Sequence, residues 1–230
     1  MPSTQLTRLR DRAITDRAAL DRLLDDTFLA HVGVADDEGN AVVIPTAVVR
    51  DGDRVLIHGS TGSGWMRRLA NGQQACLTVT ELAGIIVARS NFENSLRYRS
   101  AVLFGAFTRL PDDEVPRALD LFTDHLLPGR VAEVRPNHRR ELAATMVLSM
   151  PIEQWSLKIS GDWPDDAAED LAGNAWAGVI PFDAHRYGDP LPAPDLRPGI
   201  PVPASVRAVT DEFAARASLQ QANTNEEDRK

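Results

Sequence analysis

The stretch FLAHVGVADDEGNAVVIPTAVVRDGDRVLIH, residues 28–58, decides the fold of this chain. It predicts strands at 28–35, 41–49 and 54–58, because each run is rich in β-branched residues and is bounded by turn residues. The connections DDEGN and DGD are short enough for hairpins between neighbouring strands. Strands joined by such turns form an antiparallel meander, which excludes the parallel sheet of a βαβ nucleotide-binding fold.

The rest of the chain continues this pattern of many strands and few helices. Runs rich in β-branched and aromatic residues predict further strands at 74–82, 84–90, 97–110 and 152–161. Helical spacing of apolar residues predicts helices at 6–26, 111–127 and 138–148. Because closure of a sheet removes exposed strand edges, we predict a mainly β fold with flanking α-helices, built as a closed or partly closed antiparallel barrel.

The C-terminal part differs in composition. Six of the fifteen prolines lie between Tyr187 and Ala204, and such a segment is extended and cannot join a central sheet. We therefore predict one domain at 1–186, which includes the N-terminal helix, followed by an extended arm, a short helix at 204–217 and a disordered tail within 187–230. We expect the arm to pack across a partner or over the functional site.

Charge and composition exclude several classes of protein. The net charge of −8 argues against nucleic acid or an anionic membrane as a partner. The single cysteine, Cys76, excludes an internal disulfide and is typical of a reducing compartment. No signal-peptide core and no run of about 18 apolar residues occur, so we expect a cytoplasmic protein. The five histidines lack metal-ligand spacing, so no metal site is predicted.

The segment HGSTGSGWMRRLANG, residues 58–72, predicts a glycine-rich loop followed by a short helix that ends at Gly72. A loop with few side chains leaves backbone N–H groups exposed, and the helix start adds the positive end of a dipole. This combination suits a phosphate. Trp65 and Met66 stand where a P-loop requires Lys and Ser or Thr, so hydrolysis of a nucleoside triphosphate is excluded. A flexible connector with solvated arginines is the alternative interpretation.

A set of ordered motifs supplies a family resemblance. The motifs are HGS…S…R.L..G from His58 to Gly72, C.TVT at 76–80, G..VARS at 84–90, S..YRS…FG at 95–105, PGR at 128–130 and WAGV.P at 176–181. Their order resembles the pyridoxamine 5′-phosphate oxidase-related flavoproteins, in the branch of nitroimidazole-resistance-like and actinobacterial proteins. The resemblance extends from about Ile14 to Pro181.

This resemblance implies an antiparallel split β-barrel of the FMN-binding type. It also implies a homodimer that holds FMN in the groove between subunits, with the phosphate at the glycine-rich loop. The implied cofactor-binding residues are Val43, Ile44 and Pro45 at the flavin ring, Ser60, Ser63 and Arg67 at the phosphate, Thr78 and Thr80 at the ribityl or phosphate region, Tyr98, Arg99 and Ser100 near the dimer groove, His58 at the strand end, and Trp176 from the other subunit.

Several of these residues have a simpler structural interpretation. At the end of its strand, His58 is interpreted as a hydrogen-bonded structural histidine rather than as an acid–base group, and Trp155 and Trp176 as core residues. We expect Cys76 to be buried and inert, because apolar strand positions flank it. Lys158 is expected to be solvated on the outer side of its strand, with a phosphate contact as the alternative.

Neighbouring helical residues point about 100° apart, so only one of Arg67 and Arg68 can face an anion at the loop. We expect Arg67, about one turn into the helix, to turn back toward the loop. Arg68 should then face solvent or an acidic residue.

The function implied is that of an FMN-dependent oxidoreductase that acts on an unidentified small molecule. The flavin supplies the redox chemistry, so no catalytic residue is identified. The segment DLRPGIPVP (195–203) does not reproduce the arginine-rich substrate motif of true pyridoxamine phosphate oxidases, so oxidation of vitamin B6 is not expected. The alternatives are a deazaflavin-dependent reductase on the same fold, and a non-catalytic flavin- or haem-binding protein.

Overall fold

The structure is a computed structural model that describes residues 13–182, 190–197 and 199–210. Its strands are β1 (Ala13–Ile14), β2 (Leu29–Ala35), β3 (Ala41–Asp51), β4 (Arg54–Ser60), β5 (Gln74–Val87), β6 (Ser95–Ala106), β7 (Thr108–Arg109), β8 (Thr145–Pro151), β9 (Gln154–Ser160) and β10 (Gly178–Pro181). Its helices are α1 (Arg17–Asp26), α2 (Gly64–Ala70), α3 (Val115–Leu126), α4 (Arg139–Ala144) and α5 (Ala168–Leu171), with a 3₁₀ turn at Arg130–Glu133. Residues 204–210 are also helical.

All strand pairs in the described residues are antiparallel, and the strand order is β1-β9-β6-β5-β2-β3-β4-β8-β7, with β10 paired to β5. The predicted mainly β, antiparallel split-barrel fold is therefore confirmed. The predicted meander is present as β2, β3 and β4. Its two turns contain Gly39 and Gly52, whose φ angles of 84° and 64° are positive values that glycine adopts without strain.

Strand β3 divides the sheet into two halves. Its first part, Ala41–Ala47, pairs with β2, whereas Val48–Asp51 pairs with β4. Strand β5 is also long, because it continues through a bulge between Leu82 and Gly84. The prediction of separate strands at 74–82 and 84–90 was therefore wrong, since Gly84 lies within one strand.

Two further sequence predictions need correction. Residues 13–14 form a strand that pairs with β9, and α1 begins only at Arg17, with Asp16 as its N-cap. The part of the predicted helix at 6–12 lies outside the described residues. The predicted helix at 138–148 ends at Ala144, because the apolar residues that follow it form β8 and are buried. The helices predicted at 111–127 and after the glycine-rich loop are confirmed.

The main hydrophobic core joins α1 to one face of β2, β3, β5, β6 and β9, which we name the larger half-sheet, and it also includes residues of α2, β4 and β8. Leu20, Leu23 and Leu24 of α1 are buried in the same cluster as alternating strand residues such as Leu77 and Leu103. Alternation along a strand sends every second side chain to the opposite face. This core therefore accounts for one face of the sheet, which we name the inner face, and leaves the other face for a different role.

The described residues divide into two compact units: one holds those within 13–119 and 137–182, and the other those within 120–136 and 190–210. In the second unit, the backbone N–H and the hydroxyl of Ser205 both donate to the carboxylate of Glu133. The proline-rich residues 190–197 and 199–203 form no helix or strand. The domain boundary predicted at 186 and the tail after 210 lie outside the described residues, so both stay predictions. None of the helices that the structure describes is long and apolar enough to cross a membrane.

Candidate functional site

The sheet face opposite the core brings together residues from β2, β3, β5, β6 and β9. Residues directly opposite each other in an antiparallel pair lie on the same face, so the pairings of Thr80 with Ser100 and of Ser100 with Lys158 define a common surface. We name it the outer face. Its strand residues include His31, Gly33, Val43, Pro45, Cys76, Thr78, Thr80, Tyr98, Ser100, Val102, Phe104, Ser156 and Lys158.

Six of the predicted cofactor residues share this outer face, namely Val43, Pro45, Thr78, Thr80, Tyr98 and Ser100. Thr80 Oγ1 and Ser100 Oγ lie 3.0 Å apart and form a hydrogen bond across the strands. Val43 is 64% exposed, which is unusual for a strand valine. The structure thus gathers these residues on one surface, and their contact with a cofactor stays a prediction.

Two predicted residues lie on the inner face instead. Ile44 is opposite the buried Val32, and its side chain packs against the main core. Only the backbone of Ile44 could therefore contact a ligand on the outer face. Arg99 donates to Asp26 of α1 at 2.9 Å and to Glu81. The structure therefore separates Arg99 from Tyr98 and Ser100, its neighbours in the sequence, because successive side chains of a strand point to opposite faces of the sheet.

The glycine-rich loop is more internally bonded than its sequence predicts. The backbone N–H of Gly62 donates to Ser60 Oγ at 3.1 Å, and that of Ser63 donates to the Ser60 carbonyl at 3.0 Å. The N–H of Thr61 donates to the carbonyl of Ala144 at 3.0 Å. The expectation of exposed N–H groups is therefore wrong for these three amides. The donors left for a ligand are those of the first turn of α2, which have no intrahelical acceptor.

The two arginines of α2 point in different directions. Arg67 Nη1 donates to the carbonyl of Gly62 at 3.0 Å and to that of Thr61 at 3.4 Å, so its guanidinium turns back toward the loop. Arg68 Nη1 lies 3.6 Å from Asp37 Oδ2. Both orientations are the predicted ones. Ser63 is the N-cap of α2, but its hydroxyl makes no capping hydrogen bond. The phosphate contacts of Ser60, Ser63 and Arg67 stay predictions.

An open groove with a volume of about 1090 Å³ lies at one end of the larger half-sheet. Its lining includes Val43, Cys76 and Phe104 from the outer face. Cys76 is only half-buried, so the expectation that it is buried was wrong. The signal was present in the sequence, since Leu77 and Val79 take the inner positions of β5 and alternation then sends Cys76 outward.

Strand β4 carries His58 opposite Val147 of β8. His58 is half-buried, and this burial lowers its pKa below the usual value of 6.5. A lowered pKa favours the neutral imidazole at pH 7. No group of three or more His, Cys, Asp and Glu side chains suited to one ion occurs among the residues that the structure describes.

The two tryptophans considered for the core differ. Trp155 is half-buried and packs against the main core, as predicted. Trp176 is 66% exposed, so its assignment to the core was wrong. Its ring covers Gly178, where an added Cβ would lie 2.8 Å from the ring atoms. Its predicted contact with a site on another subunit stays a prediction.

Lys158 was expected to be solvated, yet it is half-buried on the outer face. Its Nζ lies 5.4 Å from the centre of the Tyr98 ring, within the range of a cation–π interaction. Strand alternation places Lys158 outward, but only the pairing of β9 with β6 brings it opposite Ser100. This pairing joins residues that are far apart in the sequence, so the sequence could name a phosphate contact of Lys158 only as the alternative to solvation.

Comparisons with known proteins agree with this geometry. The family model of pyridoxamine 5′-phosphate oxidase matches residues 16–159. The structure is similar to one described as the FAD and haem binding protein from Mycobacterium smegmatis, with 51% identity, a TM-score of 0.84, and coverage of 86% of this chain and 97% of that chain. It is also similar to the flavocytochrome Anf3 from Azotobacter vinelandii, with 36% identity, a TM-score of 0.84, and coverage of 89% and 94%.

A third structure is more distant. A protein from Bacteroides thetaiotaomicron, described as a putative 5-nitroimidazole antibiotic resistance protein, is 21% identical with a TM-score of 0.54. The match covers 64% of this chain and 86% of that chain, and it supports the fold alone. A search of the curated proteins finds no match. The family model and the two nearer relatives lead to one conclusion: the chain belongs to the pyridoxamine 5′-phosphate oxidase-like family of split β-barrel proteins.

Proposed function

We propose that this protein binds a flavin and haem and transfers electrons between them. The observation that carries the proposal is the 51% identity, over nearly the whole length of both chains, to a protein described as FAD and haem binding. A second relative, at 36% identity, is described as a flavocytochrome. These relatives favour the flavin- and haem-binding alternative over an FMN-dependent oxidoreductase that acts on a small molecule.

The outer face has the chemistry that a flavin ring requires. A flavin is a flat, largely apolar ring with polar groups at its edge, and ligand sites of this kind combine apolar surface with a few placed polar groups. The exposed Val43 and the half-buried Phe104 supply apolar surface beside the groove, while Thr78, Thr80 and Ser100 supply hydroxyls. When bound, the flavin accepts and donates electrons, and the protein binds and orients it.

In the FMN alternative, the phosphate of the flavin is assigned to the glycine-rich loop. Arg67 already reaches the loop carbonyls, and no described carboxylate pairs with its guanidinium. Its positive charge therefore remains available to an anion at the start of α2. Ser60 and Ser63 add hydroxyls at the same place. This assignment supports a phosphorylated flavin over riboflavin.

We propose FAD as the flavin, since the relative at 51% identity is described as FAD and haem binding. FMN and a deazaflavin are the alternatives. For haem, His58 is the proposed iron ligand, because it is a half-buried histidine of the larger unit and histidine is a common ligand of haem iron. His31 and His138 are exposed, and the half-buried His125 belongs to the second unit.

A homodimer is part of the proposal. The outer face exposes Leu29, Val43 and Leu82, which are 53%, 64% and 44% exposed. Exposed apolar side chains grouped on one face are typical of an interface between proteins. A second copy of this chain would cover them. Light scattering at micromolar concentration is expected to give twice the chain mass, and a monomer that binds flavin would contradict the homodimer.

The test is an absorption spectrum of the purified protein, followed by identification of the released cofactors. We expect flavin bands, a Soret band, and FAD in the denatured supernatant. His58→Ala should lose the Soret band while it keeps the flavin bands, and the exposed His138→Ala is the matched control. A protein that acquires neither band after incubation with FAD and haemin contradicts the proposed function. Bound FMN or deazaflavin without haem would restore the corresponding alternative.

A further inference from the structure

The outer face carries an unusual distribution of charge. Among the strand residues that the structure describes on this face, Lys158 is the one side chain with a permanent charge, and none is a carboxylate. The chain as a whole has a net charge of −8. A face that carries a cation and no acid is therefore a local exception within an acidic protein, and it favours a negatively charged ligand.

Most other cations in the larger unit are already neutralised. Arg50, Arg54, Arg89 and Arg99 each lie within 2.9 Å of a carboxylate oxygen. Lys158 forms no ion pair with any residue in the described part of the chain, and its one specific contact there is the ring of Tyr98. A half-buried ammonium without a carboxylate keeps its full attraction for an external anion.

Two hydroxyl groups lie in line with the ammonium of Lys158 and form a row with it. Thr80, Ser100 and Lys158 lie directly opposite one another on β5, β6 and β9, so the row spans roughly 10 Å at the usual strand spacing. Thr80 and Ser100 share one hydrogen bond at 3.0 Å. Each hydroxyl has one proton to donate, so the pair uses one proton and retains the other for a ligand.

We infer that the row of Thr80, Ser100 and Lys158 binds the diphosphate of a dinucleotide flavin. A diphosphate has oxyanions at both ends, so one end can accept from the hydroxyl pair while the other meets the ammonium. Lysine binds phosphate as a point charge, without the planar geometry that arginine requires. The inference rests on the proposed function and deepens it, because it names the residues that select FAD over flavins with fewer phosphates.

The position of the row also fits a dinucleotide. Cys76 of the groove and Thr80 of the row lie on the same strand and face, four residues apart, which is roughly 13 Å along the strand. An aromatic ring in the groove and a diphosphate at the row would thus be separated by a flexible linker, as they are in FAD. The outer face between them offers the hydroxyl of Thr78.

The experiment measures the dissociation constants of FAD, FMN and riboflavin by flavin fluorescence, for the full chain and for three variants. Lys158→Gln is expected to weaken FAD binding by about tenfold to a hundredfold, the effect of one lost charge-assisted contact. The loss for FMN should be smaller, and riboflavin should bind unchanged. Lys158→Arg should retain most of the FAD affinity, because it keeps the charge. The neutralising control is Arg109→Gln, which removes an exposed arginine of β7 that pairs with Asp112, and it should change none of the three constants.

Each other outcome overturns the inference in a recognisable way. Equal losses for all three flavins would assign Lys158 to the ring or to folding, and an unchanged FAD constant would remove it from the site. Dissociation of the protein in light scattering of Lys158→Gln would assign its ammonium to an interface between copies. If the unmodified protein binds none of the flavins, the proposed function fails, and the inference fails with it.

Discussion

The two faces of the larger half-sheet are built from the same strands, yet they treat charge in opposite ways. On the inner face, Arg99 lies between Asp26 and Glu81, so its charge is balanced beside the apolar core. On the outer face, Ser100, the next residue in the sequence, lies opposite Lys158. No described carboxylate balances the charge of Lys158. Balanced charges stabilise a fold without attracting ligands, whereas an unbalanced charge remains available for binding.

The largest expected effect compares adjacent residues of β6. Leu103 is fully buried on the inner face, and Val102 is half-buried on the outer face. Leu103→Ala should lower the free energy of unfolding by about 2–5 kcal/mol, because it leaves a cavity in the core. Val102→Ala should lower it by less than about 1 kcal/mol. Urea unfolding of both variants measures the difference, and similar losses would contradict the division into two faces.

The second prediction extends the comparison of charges to α2. Arg67 contacts only loop carbonyls, and Arg68 lies beside Asp37. Arg67→Ala should weaken FMN binding by about tenfold to a hundredfold, because a charge-assisted phosphate contact is lost. Riboflavin, which lacks the phosphate, should bind unchanged, and Arg68→Ala is the matched control. A larger FMN loss in the Arg68 variant would mean that the other arginine binds the phosphate.

The third prediction concerns packing on the outer face. Gly33 lies opposite Cys76, and a Cβ at Gly33 would lie 2.8 Å from Cys76 Sγ. Gly33→Ala should therefore lower the free energy of unfolding by roughly 1–3 kcal/mol through crowding. Adding Cys76→Ala should recover most of this loss, because it removes the crowded sulfur atom. Additive losses in the double variant would show that the two residues are not coupled.

The smallest effect is expected at a charge-balanced cluster around Asp51, in the part of β3 that pairs with β4. The hydrogen bond from Arg117, aided by Arg54 and opposed by burial, lowers the pKa of Asp51 to about 2 from its usual 3.8. A lowered carboxylate pKa gives stability that is complete above pH 3.8 and is lost as the pH falls toward 2. Since Arg117 is largely exposed, solvent screening leaves about 1 kcal/mol for this contribution.

The Asp51 prediction is checked by the pH dependence of urea unfolding. The free energy of unfolding should fall less between pH 4 and pH 2 in Asp51→Asn than in the unmodified protein, by about 1 kcal/mol. Asp112→Asn, at an exposed carboxylate paired with Arg109, is the control. An unchanged acid dependence in the Asp51 variant would show that this cluster adds no net stability to the fold.

The sequence predicts the fold well where the signal is local. The meander at 28–58 and the short helix after the glycine-rich loop are both present, because their turns and caps are specified by adjacent residues. The signal fails at 138–148, where helical residues are followed directly by Met146 and Val147 of a buried strand. Neither Gly nor Pro marks that transition, so the sequence there lacks the usual helix stop.

The candidate site is harder to predict, because it is assembled by pairings between distant strands. Tyr98, Arg99 and Ser100 are adjacent in the sequence, but alternation sends Arg99 to the opposite face. Lys158 joins the site through the pairing of β9 with β6, and a single sequence contains no record of that pairing. The resemblance to a family supplied the other outer-face residues, whereas spacing alone did not.

The low lysine content of the chain allows the outer-face row to be labelled selectively at Lys158. Of the 25 basic residues other than histidine, only Lys158 and Lys230 are lysines. An amine-reactive reagent therefore has two ε-amino groups to modify, and a protease digest separates them into different peptides. The extent of labelling at Lys158, with Lys230 as an internal reference, reports whether the ammonium is covered. The same row thus offers a reporter of occupancy that requires no substitution in the protein.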